Sequence, residues 1–276
     1  MTTLPALFIS HGAPTFALQP GRIGPVLHKL GESLARPKAV VIVSPHWANW
    51  NTEVTAHLHP PTIHDFGGFP RVLYTLQYPA PGSPVMAKEV VDALQSGGVP
   101  ARANPHQGLD HGAWVVLMHL YPQADVPVLQ VSLNPDAGVA GALRLGQALA
   151  PLREQGYLVI GSGGMTHNLR DYRPGGAPHA YVEAFSGWMD EAIRTGNLTA
   201  MLDYRERAPF AERAHPMDEH LQPLFVAMGA GGLDPALTTR LPGGIEDSAL
   251  CMDAYAFGAP VPDAVKTLIG ATEATN

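Results

Sequence analysis

The run AVVIVSPHW, residues 39–47, decides the fold class. Its first five residues are all apolar and four of them are β-branched, so neither face of an extended chain would be polar. That is the pattern of a central strand covered by helices on both sides of a sheet. The segment LVIG, residues 158–161, repeats it, and LPALFIS, residues 4–10, is a third apolar strand-like run. Each leads to a histidine: His11 after the first run, His46 after the second, and His167 beyond Gly161-Ser162-Gly163-Gly164. Sheets of this kind bind ligands at the carboxyl ends of their strands, above all where the strand order reverses. Gly12, Pro45 and the glycine-rich segment let the backbone turn sharply there and aim the imidazoles into one crevice.

Working outward, short apolar runs alternate with amphipathic stretches. The pattern predicts strands near 5–10, 39–44, 52–58, 127–133, 157–161 and 249–256, and helices near 21–35, 84–96, 112–120, 137–154, 178–195 and 217–229. Gly- and Pro-rich breaks such as HPPTIHDFGGFPR and RPGGAPH punctuate these elements without forming a linker, and no repeat is visible. The expectation is one α/β domain, residues 1–276, with a central mostly parallel or mixed sheet flanked by helices on both faces.

Composition narrows the function classes. The 276 residues are 46% hydrophobic and 15% charged, with mean hydropathy near zero, as in globular proteins. A net charge of -7 with scattered Lys and Arg offers no basic stripe for a phosphate backbone, so nucleic acid is set aside. No basic region precedes the first apolar stretch, and no run approaches the roughly 20 apolar residues of a membrane span, so a cytoplasmic protein with no membrane partner is expected. The single cysteine, Cys251, rules out an intrachain disulfide and a cysteine-based zinc site. Any metal must be held by histidine and carboxylate.

The 13 histidines therefore carry the argument. His220 precedes Leu221, Leu224, Phe225 and Met228, a helical stripe that starts near Pro216 and would turn His220 inward; His215 is the competing choice. Asp110 can cap a helix with His111 in its first turn, where the helix dipole disfavours protonation and keeps a neutral base available. Burying several imidazoles without a shared partner is costly, and a metal is the partner that fits. Zn, Fe, Cu and Ni all suit such ligands; three ligands with open positions would be catalytic, four in a closed set structural, and His167 decides between them. GSGG lacks the Lys of a phosphate loop, and Ser10 and Ser162 lack a nucleophile elbow.

Taken together, FISHGAP, VIVSPHW, PPTIHDFGGFP, YPAPGSP, LDHGAW, MTHNL and DEHLQPLFVAMGA resemble the class III extradiol ring-cleavage dioxygenases, and within them the DOPA 4,5-dioxygenase-like subgroup. The resemblance implies cleavage of a catechol by O2 beside its two hydroxyls, giving a muconic semialdehyde, at a mononuclear non-haem metal. It implies His11, His46 and His220 as ligands, the last standing where the wider superfamily has glutamate. His111 and His167 match the acid/base histidines, and His167 is also a fourth ligand in zinc-holding members. Fe(II) is expected for activity and Zn(II) as the metal retained on isolation. Within the loop Thr62–Phe69, His64 is a candidate for binding the substrate, as are Trp47 and Asn168 beside the ligands. A catechol and O2 are the expected partners, and a monomer or small homo-oligomer the expected assembly. The competing readings are a zinc hydrolase using a metal-bound water and a non-enzymatic metal-binding module.

Overall fold

The apolar runs form the middle of an eight-stranded sheet. The computed structural model describes residues 3–274, with strands β1 (Ala6–Ser10), β2 (Ala39–Ala48), β3 (Thr52–Thr55), β4 (Ala101–Asn104), β5 (Val128–Leu133), β6 (Tyr157–Gly163), β7 (Thr238–Leu241), β8 (Ile245–Glu246), β9 (Leu250–Cys251) and β10 (Ala254–Phe257). The large sheet runs β4-β3-β5-β2-β6-β1-β10-β7, and β8 pairs with β9 separately. Strands β5, β2, β6 and β1 are mutually parallel, whereas β10 and β7 add antiparallel to β1, so the sheet is mixed. β6 lies between β1 and β2, which brings the ends that lead to His11, His46 and His167 to one edge.

Alternate residues of each central strand face opposite helical layers, because side chains alternate along a strand. Leu7, Ile9, Val40, Ile42, Leu158 and Ile160 face one layer. Its helices are α1 (Ile23–Ser33), α3 (His111–Leu120) and α10 (Asp263–Ala274), which bring Leu27, Trp114 and Val265 to it. Phe8, Val41, Val43 and Val159 face the other, built on α2 (Pro84–Ser96), α4 (Gly138–Glu154), α5 (Ala180–Arg194) and α9 (Gln222–Gly231). Between α5 and α9 lie the short helices α6 (Leu198–Leu202), α7 (Tyr204–Arg207) and α8 (Ala211–Ala214). The chain thus forms one α/β domain with both faces of its sheet covered. Among the described residues no helix is long and apolar enough to cross a membrane.

Three local readings need correction. The strand expected at 249–256 is two, β9 and β10, separated at Met252-Asp253, where the Asp253 carboxylate accepts from Gly243 N–H and pairs with Arg240. β2 continues past 44 to Ala48, its register against β5 shifting between Val43 and Ala48, around Pro45, which has no N–H to give a ladder. The helix expected from 217 begins at Gln222, with Pro223 in its first turn, so His220 lies in the turn ahead of α9 and not on its inward face.

Candidate metal centre and active site

Five imidazoles meet at the edge where β1, β2 and β6 end. His11 is 5.1 Å from His46, 5.7 Å from His111 and 5.5 Å from His220, measured between ring centroids. His46 stands 3.9 Å from His111 and 5.0 Å from His220, and His167 stacks on His220 at 3.5 Å with planes 8° apart. Side-chain nitrogens of His11, His46 and His111 lie within 4.8 Å of one another, and those of His167 and His220 form a second such group with a Glu219 oxygen.

The backbone explains the gathering. Gly12 has φ +60°, a left-handed turn that suits glycine, so the chain leaves β1 immediately after His11. Gly163, at the end of β6, lets the turn carrying His220 lie directly against the strand: a Cβ there would sit 2.3 Å from the His220 carbonyl oxygen. That carbonyl accepts from Gly164 N–H at 2.8 Å, which buries His220 by a backbone tie rather than by a helical stripe. His167 N–H donates to Ala214 O at 2.9 Å. His215, the competing ligand, is wholly buried behind the cluster, where it bonds through Nε2 to Met165 O at 2.9 Å.

Hydrogen bonds fix which nitrogen of His11 and of His220 is available. Ser162 Oγ donates to Gly112 O, so its lone pair accepts the Nδ1–H of His11 at 2.9 Å. The His11 Nε2 lone pair then faces His46 Nε2 at 3.2 Å. His220 donates Nδ1–H to Glu219 Oε1 at 3.0 Å, leaving its Nε2 bare in the same way. The bare Nε2 atoms of His11 and His220, with His46 Nε2 beside the first, turn lone pairs toward the same edge, where one cation could accept them. The donor set therefore fits a metal ion, with His11 and His220 offering Nε2 atoms whose Nδ1–H groups are anchored to oxygens and His46 standing beside them.

Electrostatics agree. Burial, then the charges that neighbouring imidazoles would carry, holds His11 and His220 well below the usual histidine range and His46 at about 3. Burial also lowers His167, against the opposing pull of Glu219. His11, His46, His167 and His220 are thus held neutral at pH 7 and ready to ligate, because a metal ligand must be deprotonated.

Asp65, in the loop Thr62–Phe69, joins the site without any local sequence pattern pointing to it. Its Oδ1 accepts His111 N–H at 2.8 Å and its Oδ2 accepts His111 Nδ1–H at 2.9 Å; the same oxygen is 3.6 Å from His46 Nδ1. Burial would raise the Asp65 carboxyl, but the His111 hydrogen bonds outweigh it and hold the group below its ordinary value. The loop is pinned on both sides, since Trp114 Nε1–H donates to Ile63 O and Ile63 N–H to Leu109 O. At the start of α3, Asp110 caps the helix by accepting Ala113 N–H at 3.0 Å, as expected. Burial, then the nearby Asp65, pushes the Asp110 carboxyl up to about 6.

A cavity of about 390 Å³ opens over the imidazoles. His46, His111, His167 and His220 form its polar part, and Phe66, Phe69, Leu169, Tyr172 and Leu250 much of the rest. The structure does not bring His64, Trp47 or Asn168 to this wall. His64 bonds through Nε2 to Leu76 O at 3.0 Å, Trp47 is buried in β2, and Asn168 donates to Arg213 O at 2.7 Å, bracing the turn that carries His167.

Residues 6–242 match the family model of the catalytic LigB subunit of aromatic ring-opening dioxygenase. The chain belongs to this family. Similar proteins include the 4,5-DOPA dioxygenase extradiol of Beta vulgaris, 41% identical over 82% of this chain and 86% of its own length. The Escherichia coli K12 protein of the same name is 36% identical over 93% and 96%. The crystal structure of an uncharacterized Escherichia coli K12 protein superposes with a TM-score of 0.77 at 30% identity, covering 92% of this chain and 100% of that one. This dioxygenase is an extradiol ring-opening enzyme that acts on an aromatic substrate with O2. Its family is metal-dependent, which accords with the histidine cluster.

Proposed function

We propose that His11, His46 and His220 hold one Fe(II), that His111 and His167 move protons, and that the substrate is a catechol of the DOPA type named in the relatives. The observation that carries this division is the stacking of His167 on His220. A metal ligand must point its lone pair in its own ring plane, and two parallel rings 3.5 Å apart cannot both aim well at one ion. His220, anchored by Glu219, takes the ligand role, and His167 is left beside the cavity as acid or base.

The pairing of His111 with Asp65 supports the other half. With Nδ1–H held by the carboxylate, Nε2 is the basic nitrogen, and a carboxylate partner stabilises the imidazolium that forms when it takes a catechol proton. His111 and His167 stand on the cavity wall as two separate proton carriers, one to remove a hydroxyl proton and one to return a proton as the ring opens. Phe66, edge-on to His111 at 5.5 Å, and Leu250 keep bulk water from the reacting atoms. Fe(II), when bound, supplies the one-electron chemistry that couples an electron-rich catecholate to O2; Zn(II) fits the same ligands but has no redox chemistry and gives a resting protein.

The test is anaerobic reconstitution with Fe(II) or Zn(II), followed by oxygen and a panel of catechols including DOPA. Oxygen uptake and a yellow ring-opened product with Fe(II) alone are expected. Absence of uptake with Fe(II) across the whole panel overturns the proposal.

A further inference from the structure

The cavity wall shows how this enzyme would sort one catechol from another, an inference that rests on the ring-cleavage reading above. Apart from the imidazoles, the side chains around it are carbon surfaces: Pro14, Phe66, Phe69, Leu169 and Leu250, with one phenol, Tyr172. No lysine or arginine lines it among the described residues. Of the cations nearby in sequence, Arg213 pairs with Asp171 at 2.9 Å and lies over Tyr181, Arg173 donates to the carbonyls of Arg170 and Tyr172, and Arg170, exposed beside Leu169, does not line the cavity. The Tyr172 phenol is pushed up to about 12 by burial and then by Asp247, so it stays neutral.

The wall is graded from inside to outside. His111 and His220 are 5% and 6% exposed, whereas Leu169, on the same cavity, is 66% exposed and stands at the mouth. A charge close to the ring must lose its water among carbon atoms with no counter-charge, which is strongly unfavourable. A charge carried on a flexible two- or three-atom spacer can reach past Leu169 and keep its hydration.

We infer that the cavity selects catechols by the position of their charge, accepting alkyl substituents and charged groups on a spacer but rejecting a carboxylate bonded directly to the ring. The deciding surfaces are Phe66, Leu169 and Leu250.

The probes are 4-methylcatechol, 3-(3,4-dihydroxyphenyl)propionate and 3,4-dihydroxybenzoate. On Fe(II)-loaded enzyme, kcat/KM for the first two should agree within about tenfold, and the benzoate should fall at least about 100-fold below them, some 2.7 kcal/mol. Dissociation constants for the same three compounds on Zn(II)-loaded protein should show the same order without turnover. Binding thus separates the two readings: if no catechol is cleaved, the ring-cleavage proposal fails while the order on zinc still judges the wall. Leu169→Arg, at an exposed position, should raise benzoate efficiency relative to 4-methylcatechol by at least about tenfold. Equal affinity for the benzoate and 4-methylcatechol on the zinc protein, or a Leu169→Arg variant with an unchanged ratio, overturns the inference.

Discussion

Asp65→Asn is the sharpest perturbation the site offers. The native carboxylate has two acceptor oxygens, one for the His111 backbone N–H at 2.8 Å and one for its Nδ1–H at 2.9 Å. An asparagine has one oxygen and one NH2. The backbone N–H can only donate, so it takes the oxygen, and the NH2 then faces Nδ1. His111 must turn Nδ1 into an acceptor and carry its proton on Nε2, the nitrogen that should receive a proton from the substrate. Losing a charged hydrogen bond costs about 1.5–3 kcal/mol, and less here because the Asp65 side chain is 23% exposed. Losing the general base costs about 10²–10⁴ in kcat, or some 2.7–5.4 kcal/mol of barrier, so the tautomer effect dominates. The contact with His46 is 3.6 Å, too long for a hydrogen bond, so metal affinity should fall by less than about tenfold. Oxygen-uptake kinetics on Fe(II)-loaded enzyme, with Zn(II) affinity from competition against a coloured chelator, read both quantities. A kcat within about threefold of the parent, or a loss of rate that follows metal content in proportion, would refute the reasoning.

Other perturbations probe the rest of the centre. Ser162→Ala strands the buried His11 Nδ1–H, which should lower metal affinity about 10–100-fold and stability by about 1–3 kcal/mol; parental affinity in chelator competition would mean that Ser162 does not set the tautomer. Gly163→Ala places a methyl 2.3 Å from the His220 carbonyl oxygen and should weaken metal binding by at least about tenfold; a folded variant with native affinity would show that the turn can back away freely. His215, held at about 3 by burial, is neutral in the fold and titrates near 6.5 when unfolded. The unfolded chain thus binds the extra proton between those values, so stability is complete above pH 6.5 and declines as pH falls toward 3. Between pH 7 and 5 this one group should remove about 2 kcal/mol from the metal-free protein, and His215→Gln should flatten the trend by that amount in urea titrations. Parallel curves for parent and variant would exclude His215 as the source.

Much of the frame was readable because central strands announce themselves: AVVIV and YLVIG have no polar face, and buried-strand runs of that kind have few alternatives. The elements that escaped notice have weak local signals. β4 is ARAN, a four-residue edge strand with Arg102 exposed, and β7 carries Arg240 in TTRL. The short helices between α5 and α9 are single turns held by tertiary contacts, and the apolar stripe of α10 is short, with Val265 and Ile269 buried and Leu268 half-buried beside them. At the site, the histidines at strand ends were visible from their positions. Asp65 was not, since its role depends on a loop bridging to Leu109 and Trp114, far along the chain. The apolar spacing puts His220 on a helix face that it does not occupy; the close approach allowed by Gly163 is what buries it.

The family match ends at residue 242, before β10, yet β10 is the strand that seals one side of β1. A chain shortened to the matched region would leave Ala6–Ile9 with bare N–H and C=O groups on the strand that leads into His11. Such an edge recruits a strand from another molecule, so the truncated protein should precipitate with its imidazoles intact in sequence but scattered in space. The last strands of the sheet, beyond the matched region, are in this sense a condition for solubility as much as for catalysis.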